Sequence, residues 1–327
     1  MPGKPYQSKL APHEAEIFEL RDKGVTYRAI AEQLSLRHAL NVTHNAVFSF
    51  LKTRGPTRGG GRLFYEGFSP DIREQLLKRI TAEWTHDSTA IEGNTLTLGE
   101  TIKVLELGLT VSGKPLKDHQ EVYGHAHAID LIYAMIARAE ISEDDLCDLH
   151  RSIMHQAPVD AMNPIGAWKR DYNGTTGARD GKSIYMEYAE PAAIPRLMKR
   201  WLGDFNGTEK CTGRPEQAIA AYVRAHMIFV RIHPFFDGNG RMARLLANIP
   251  VLRGGFPPVV VPAERRSDYI GLLWEYQNDA GTIRPGSRLM PPHPAIRQME
   301  KLLKNEWTKT VSLVEEALRR QAARSHK

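Results

Sequence analysis

Apolar residues recur three and four positions apart along most of this chain, the spacing that gives a helix one buried face. Near the start, Pro12 can open a helix whose Ile17, Phe18 and Leu20 line one side before Gly24. Thr26 is placed to cap a second helix carrying Ile30, Ala31 and Leu34. Thr43 is placed to cap a third carrying Val47, Phe48, Phe50 and Leu51. The same spacing predicts helices over 70–92, 117–139, 142–156, 191–205, 214–232 and 240–253. Thr97 and Glu100 form a capping box that starts another, and Glu92-Gly93-Asn94 is a helix stop. Residues 164–190 break the rhythm. They are rich in Gly and Asp, with SIYMEY suited to a strand, and read as a hairpin or flap. From about 294 to 322 a charged amphipathic pattern predicts one helix or a pair. The expected fold class is all-α with a small β-hairpin, preceded by a three-helix module.

Three consecutive glycines and a proline in TRGPTRGGGR cannot lie inside a regular element, so 55–62 reads as a linker. The expected organisation is a helix-turn-helix-like module over 1–54, this linker, a main domain over 63–290, and a C-terminal helical segment over 291–327. Charge sharpens the division. Of a net +6 over 327 residues, segment 1–62 holds ten Lys/Arg against five Asp/Glu, leaving the rest nearly balanced. Such a surplus suits a polyanion, and His44, Asn45, Ser49 and Lys52 would face outward from the third helix. The connection 35–42 is longer than the three or four residues usual in a helix-turn-helix. Two readings therefore stand for 1–54: contact with DNA, or a bundle that docks a protein or is purely structural.

The cysteines Cys147 and Cys211 are isolated, with no CxxC and no pairing framework, which argues against a structural zinc site and fits a reducing cytoplasm. No apolar run is long enough for a membrane span, and the first residues hold no signal-peptide core, so no membrane partner is expected.

The chemistry concentrates in HPFFDGNGRMAR, His233 to Arg244. Gly238, Asn239 and Gly240 let the backbone curl so that several N–H groups converge on one anion. A helix beginning near Asn239 aims its positive end at the same place. Arg241 and Arg244, three apart, can bind phosphate oxygens through paired donors. Asp237 is a hard oxygen ligand suited to Mg²⁺ beside a nucleotide. His233 precedes this cradle with the side chain best matched to proton abstraction near neutral pH. Phe235 would anchor the loop in the core.

These residues resemble the Fic family, whose loop reads HPFx(D/E)GNGRxxR, and the resemblance runs on through RLLANI, GGFPPVVV and RRSDY, over about 64–290. It implies a helical core with a flap over the site, and AMP transfer from ATP to a Ser, Thr or Tyr hydroxyl of a target protein. His233 would then be the general base, and Asp237 would hold Mg²⁺. Gly238, Asn239, Gly240 and Arg241 would bind the phosphates, and Arg244 would reach the γ-phosphate. Asn278 falls near a position that contacts adenine. STAIEGN, Ser88 to Asn94, resembles the family's inhibitory helix, here near 84–93 and upstream of the core. Ser88 and Glu92 share a helix face, and Glu92 would compete for Arg244. A hydrolase that removes AMP through Glu92, and a DNA-binding regulator that senses nucleotide, are the rival readings. A homodimer is left open.

Weaker signals are set aside. GARDGKS has its glycines one residue too close for a nucleotide P-loop. His119, His125 and His127, like His150 and His155, read as packing or surface residues, and Gly166 and Arg170 as structural.

Overall fold

The computed structural model describes residues 9–22, 25–44, 46–47, 50, 63–154, 163–179, 181–207 and 214–325. Asn45, Ser49, Lys52, His155, Cys211 and the glycine linker lie outside the described residues. Among the described residues the protein is a helical bundle bearing one two-stranded hairpin, the fold class the pattern predicts.

A 3₁₀ turn at Ala11–His13 leads into α1 (Glu14–Asp22), followed by α2 (Tyr27–His38). The Thr26 hydroxyl caps α2 by accepting from the Ala29 N–H at 3.1 Å. Thr43 does the same for Ala46 at 3.2 Å, which opens the third helical segment with Val47 and Phe50 buried. The connection is shorter than the sequence suggests. Helix α2 runs on to His38 and stops at Ala39 in the left-handed conformation, leaving only 39–42 as a turn. That length fits a helix-turn-helix. Leu36, which blurs the pattern, is 86% exposed.

The main body comprises α3 (Pro70–Ile91), α4 (Leu98–Leu107), α5 (Leu116–Met135), α6 (Glu143–Ile153), strands β1 (Gly174–Arg179) and β2 (Lys182–Glu187), then α7 (Ile194–Gly207), α8 (Pro215–Ile232), α9 (Asn239–Leu246), α10 (Asn248–Arg253), α11 (Arg266–Ala280) and α12 (Pro294–Ser325). Helix α3 has proline at its first turn and ends at Glu92, where Gly93 takes φ 99°. Thr97 and Glu100 make the expected reciprocal cap on α4, and Ser142 with Asp145 makes another on α6.

Two expectations need correction. The single helix predicted over 240–253 is broken at Ala247 into α9 and α10. Pro250 has no N–H to offer the Leu246 carbonyl, and its ring crowds that position. Helix α11 has no counterpart among the predicted helices. Its apolar residues ring the helix, and only Tyr269, Tyr276 and Gln277 are buried, so no one-sided pattern shows. The C-terminal stretch is one helix of 32 residues, packed on α3, α8 and α11. Trp307 and Thr310 tie it down by donating to the Pro257 and Pro258 carbonyls.

Helix α8 is the spine. Most of its residues from Ala218 to Ile232 are buried, against α7, α9, α10 and α12. It ends at His233, and α9 starts six residues later, so the intervening loop is held at both ends by core helices. Strands β1 and β2 pair antiparallel, with Arg179 opposite Lys182 and Gly181 at φ 73° in the turn. The hairpin lies on α11: a Cβ at Gly177 would sit 1.7 Å from the Trp274 indole nitrogen, so only glycine fits there.

Candidate active site

His233 is the C-cap of α8 and takes φ 54°, ψ 61°, a left-handed conformation rare for a residue with a Cβ. The turn swings its imidazole out of the helix. Its Nδ1 lies 3.1 Å from the Val230 carbonyl, which can only accept, so Nδ1 carries the hydrogen and Nε2 keeps a free lone pair. The ring stacks on Tyr188 with centroids 3.7 Å apart and planes 1° apart. Burial pushes its pKa down to about 3, so the ring is neutral at physiological pH.

The loop after it is braced from several sides. Phe235 is fully buried and stacks on His150 at 3.9 Å. Asn239 spans the turn, accepting from the Phe235 N–H at 3.0 Å and donating to the Phe235 carbonyl at 2.7 Å. Asn173, at the foot of the hairpin, donates to the Phe235 and Phe236 carbonyls, and the Lys169 N–H donates to the Pro234 carbonyl. His150 works as a strut. Its Nδ1 accepts from the Gly166 N–H at 2.9 Å, so its Nε2–H donates to the Asp237 carbonyl at 3.0 Å. Burial lowers its pKa to about 4, which keeps that tautomer uncharged. Gly166 itself has φ 73°, and a Cβ there would meet Arg151 at 2.4 Å. Arg170 is exposed.

Gly238 takes φ 77° at the start of α9, and its N–H is met at 2.6 Å by the Asp237 carboxylate, an anion standing at the helix's positive end. The Asp237 side chain is 70% exposed, leaving its other oxygen facing outward, 3.9 Å from Arg241. A single open carboxylate beside an anion cradle is the donor set that suits Mg²⁺ held jointly with phosphate oxygens. Arg241 is buried, 3.5 Å from Glu121 and 3.4 Å from the Met154 sulfur.

The STAIEGN helix meets this loop through Arg244. The guanidinium, 3% exposed, donates to Glu92 Oε1 at 2.7 Å, to Ser88 Oγ at 3.0 Å and to the Ser88 carbonyl at 2.8 Å. Burial pushes the Glu92 carboxyl up, but the Arg244 charge outweighs it and the net shift is downward, so Glu92 is ionised. Behind the guanidinium, Tyr269 sits 3.5 Å from Nη1 and hydrogen-bonds His226 at 2.7 Å. Gly240 is the point of closest approach: a Cβ there would lie 2.5 Å from Glu92 Oε1.

The structure therefore brings together Ser88, Glu92, His233, Asp237, Gly238, Asn239, Gly240, Arg241 and Arg244. Asn278 is near the end of α11, where its amide donates to the neighbouring Asp279. Tyr188, His150, Asn173, Glu121, His226 and Tyr269 complete the site without having been singled out as functional from the sequence. Tyr188 stood in the SIYMEY strand assigned to the flap, Tyr269 in the RRSDY string, and His150 in a set assigned to packing. His119, His125 and His127 have separate partners: the Val111 N–H, Thr85 and Ser152.

Residues 140–250 match the model of the Fic/DOC family. The chain carries a Fic domain. A protein adenylyltransferase of Caenorhabditis briggsae is 35% identical over 226 residues, which is 66% of this chain and 41% of that protein. The protein adenylyltransferase Fic of Drosophila melanogaster is 34% identical over 207 residues, 63% of this chain and 39% of its own. The chain thus matches only about two fifths of the length of these curated relatives. Among solved structures, a Fic-domain-containing signalling protein from Bacteroides thetaiotaomicron aligns with TM-score 0.65 and 26% identity, over 77% of this chain and 93% of that one. Fic-1 from Caenorhabditis elegans aligns with TM-score 0.59 over 94% of this chain and 80% of its own, at 24% identity, a likeness of fold. No helix among the described residues is long and apolar enough to cross a membrane.

Proposed function

We propose that this Fic domain transfers AMP from ATP to a Ser, Thr or Tyr hydroxyl of a target protein, and that Glu92 restrains it. The observation that carries this reading is a neutral His233, its Nε2 unprotonated, beside an anion cradle whose distal arginine is occupied by a carboxylate. His233 Nε2 takes the proton of the target hydroxyl as that oxygen bonds to the α-phosphorus. The bond from the α-phosphorus to the bridging oxygen breaks, and pyrophosphate leaves. Backbone N–H groups at Asn239 and Gly240, at the α9 N-terminus, hold the phosphates, with Gly238 shaping the turn of the cradle and Arg241 assisting. Arg244 binds the γ-phosphate once Glu92 gives way. Asp237 is suited to hold Mg²⁺, which supplies neutralisation of phosphate charge. Asn278 is proposed to contact the adenine.

The test is mass spectrometry of Glu92→Gly protein incubated with MgATP and host lysate. Peptides carrying AMP, absent when His233 is also replaced, are the expected result; none in any sample would overturn the reading. A second reading draws on the partial exposure of Glu92, whose side chain is 36% accessible and ionised. Such a carboxylate can orient water and remove AMP from a modified protein. Incubating AMP-modified target without ATP separates the two directions. We further propose a cytoplasmic setting, consistent with an unpaired Cys147. For the N-terminal module we propose DNA contact, supported by the short 39–42 turn and the basic surplus. Binding of labelled duplex by the full chain should weaken steeply with salt. Absence of binding at low salt would favour protein docking.

A further inference from the structure

Away from the Fic loop, three potential metal ligands converge in the N-terminal module. His13 ends the 3₁₀ turn, Glu16 lies one turn further along in α1, and His38 is the last residue of α2. His13 and Glu16, three apart on a continuous helical path, face the same way, and α2 brings His38 against them. The two imidazole rings lie 4.0 Å apart between centroids, tilted by 37°. His38 Nε2 is 2.7 Å from Glu16 Oε2. The nearest donor atoms of all three residues lie within 4.8 Å of one another. The other Glu16 oxygen, Oε1, accepts from Arg37 at 3.0 Å, so the carboxylate is already oriented with Oε2 turned to the imidazoles.

We propose that His13, Glu16 and His38 form a divalent-cation site, best suited to zinc, that fastens α1 to α2. Two imidazoles and one carboxylate are a donor set zinc takes readily, with a fourth position left for water. Ligands about 2.0–2.2 Å from a tetrahedral ion stand about 3.3–3.6 Å apart, so side-chain rotation alone would close this cluster. Without an ion, Glu16 of α1 is joined to α2 by its hydrogen bonds with His38 and Arg37. The module's buried residues Leu10, Ile17, Tyr27, Ile30, Ala31, Leu34, Val47 and Phe50 are continuous with the core of the main body, and Tyr27 accepts from Arg138 at 2.7 Å, so the ion would add a local clamp between α1 and α2. Metal binding to such a unit is coupled to its stability. The site bears on whatever the module contacts, because α2 leads directly into the 39–42 turn.

The experiment uses the full chain, stripped with chelator, and zinc chloride alone. Calorimetric titration of the parent should show one zinc per chain, and zinc should raise the melting temperature. His13→Phe keeps a ring against His38, and His38→Gln keeps a donor toward Glu16, so both should stay folded. Each should weaken zinc binding at least tenfold and abolish the melting shift, while His44→Ala, on the same module, should change neither. The parent alone gives a second readout: two imidazole nitrogen signals should move together at one equivalent of zinc. Failure of the parent to bind, affinity equal in all variants, or movement of fewer than two imidazoles would overturn the proposal.

Discussion

Replacing Glu92 by glycine tests the restraint directly. In the resting structure one guanidinium serves Glu92, Ser88 and Tyr269 together. Removing the carboxylate leaves the Ser88 hydroxyl, the Ser88 carbonyl and the Tyr269 ring around the guanidinium, so the arginine should stay in place and lose only its charged partner. A hydrogen bond to a charged group is worth about 1.5–3 kcal/mol, and each 1.36 kcal/mol is tenfold in rate. If the γ-phosphate and Glu92 compete for Arg244, release should raise transfer about ten- to hundredfold. The backbone should tolerate the change, because position 92 sits at φ −87°, ψ 1°, just past the last turn of α3. The assay is transfer of α-labelled phosphate from ATP to protein, with Glu92→Gln as an intermediate that keeps a hydrogen bond but loses the charge. Arg244→Ala should lower activity, and the double variant should not be rescued, since the phosphate anchor is gone. A flat response to Glu92→Gly together with loss of AMP removal would refute the competition and assign the carboxylate to hydrolysis.

His233→Ala should cut transfer by about 10²–10⁴ while ATP affinity, measured by calorimetry, stays within about threefold; retention of more than about a tenth of activity would remove its role as base. Gly240→Ala should destabilise the fold by about 1–3 kcal/mol, because the new Cβ would lie 2.5 Å from Glu92 Oε1. In the Glu92→Gly background the cost should shrink by at least about 0.5 kcal/mol, read from a denaturant double-mutant cycle; equal costs would place the strain elsewhere. Acid should destabilise the chain through its buried histidines. His150 and His226 are pushed down to about 4 and about 3 from 6.5, chiefly by burial, so the unfolded chain binds more protons below 6.5. Their stabilising contribution is complete above that pH and falls as pH drops, by up to ~2 kcal/mol each at pH 5. Chemical denaturation at pH 7 and pH 5 checks this, and equal midpoints would contradict it.

Local chemistry determined much of this protein without help from the fold. Thr26, Thr43, Thr97 and the Glu92-Gly93 stop act within four residues of chain, so caps and ends were legible in sequence. The same holds for the loop from His233 to Arg244, where two glycines, a carboxylate and two arginines at helical spacing fall in one short string. The break at Ala247 was in principle legible too, because Pro250 denies a hydrogen bond to Leu246. Helix α11 was not, since its buried residues are chosen by what packs on it, the hairpin and α12, and not by a one-sided pattern. The supporting cast of the site was hidden for the same reason. Tyr188 stood in a strand assigned to the flap, but its stacking on His233 depends on where β2 ends, and His150 matters because α6 passes behind the loop, which its sequence neighbourhood does not say. The tautomer and low pKa of His233 depend on burial and on the Val230 carbonyl, both products of the finished fold. Above all, Glu92 and Arg244 are 152 residues apart in the chain. A motif can propose that they meet, but a 2.7 Å ion pair exists only because α3 and α9 are packed side by side around one core.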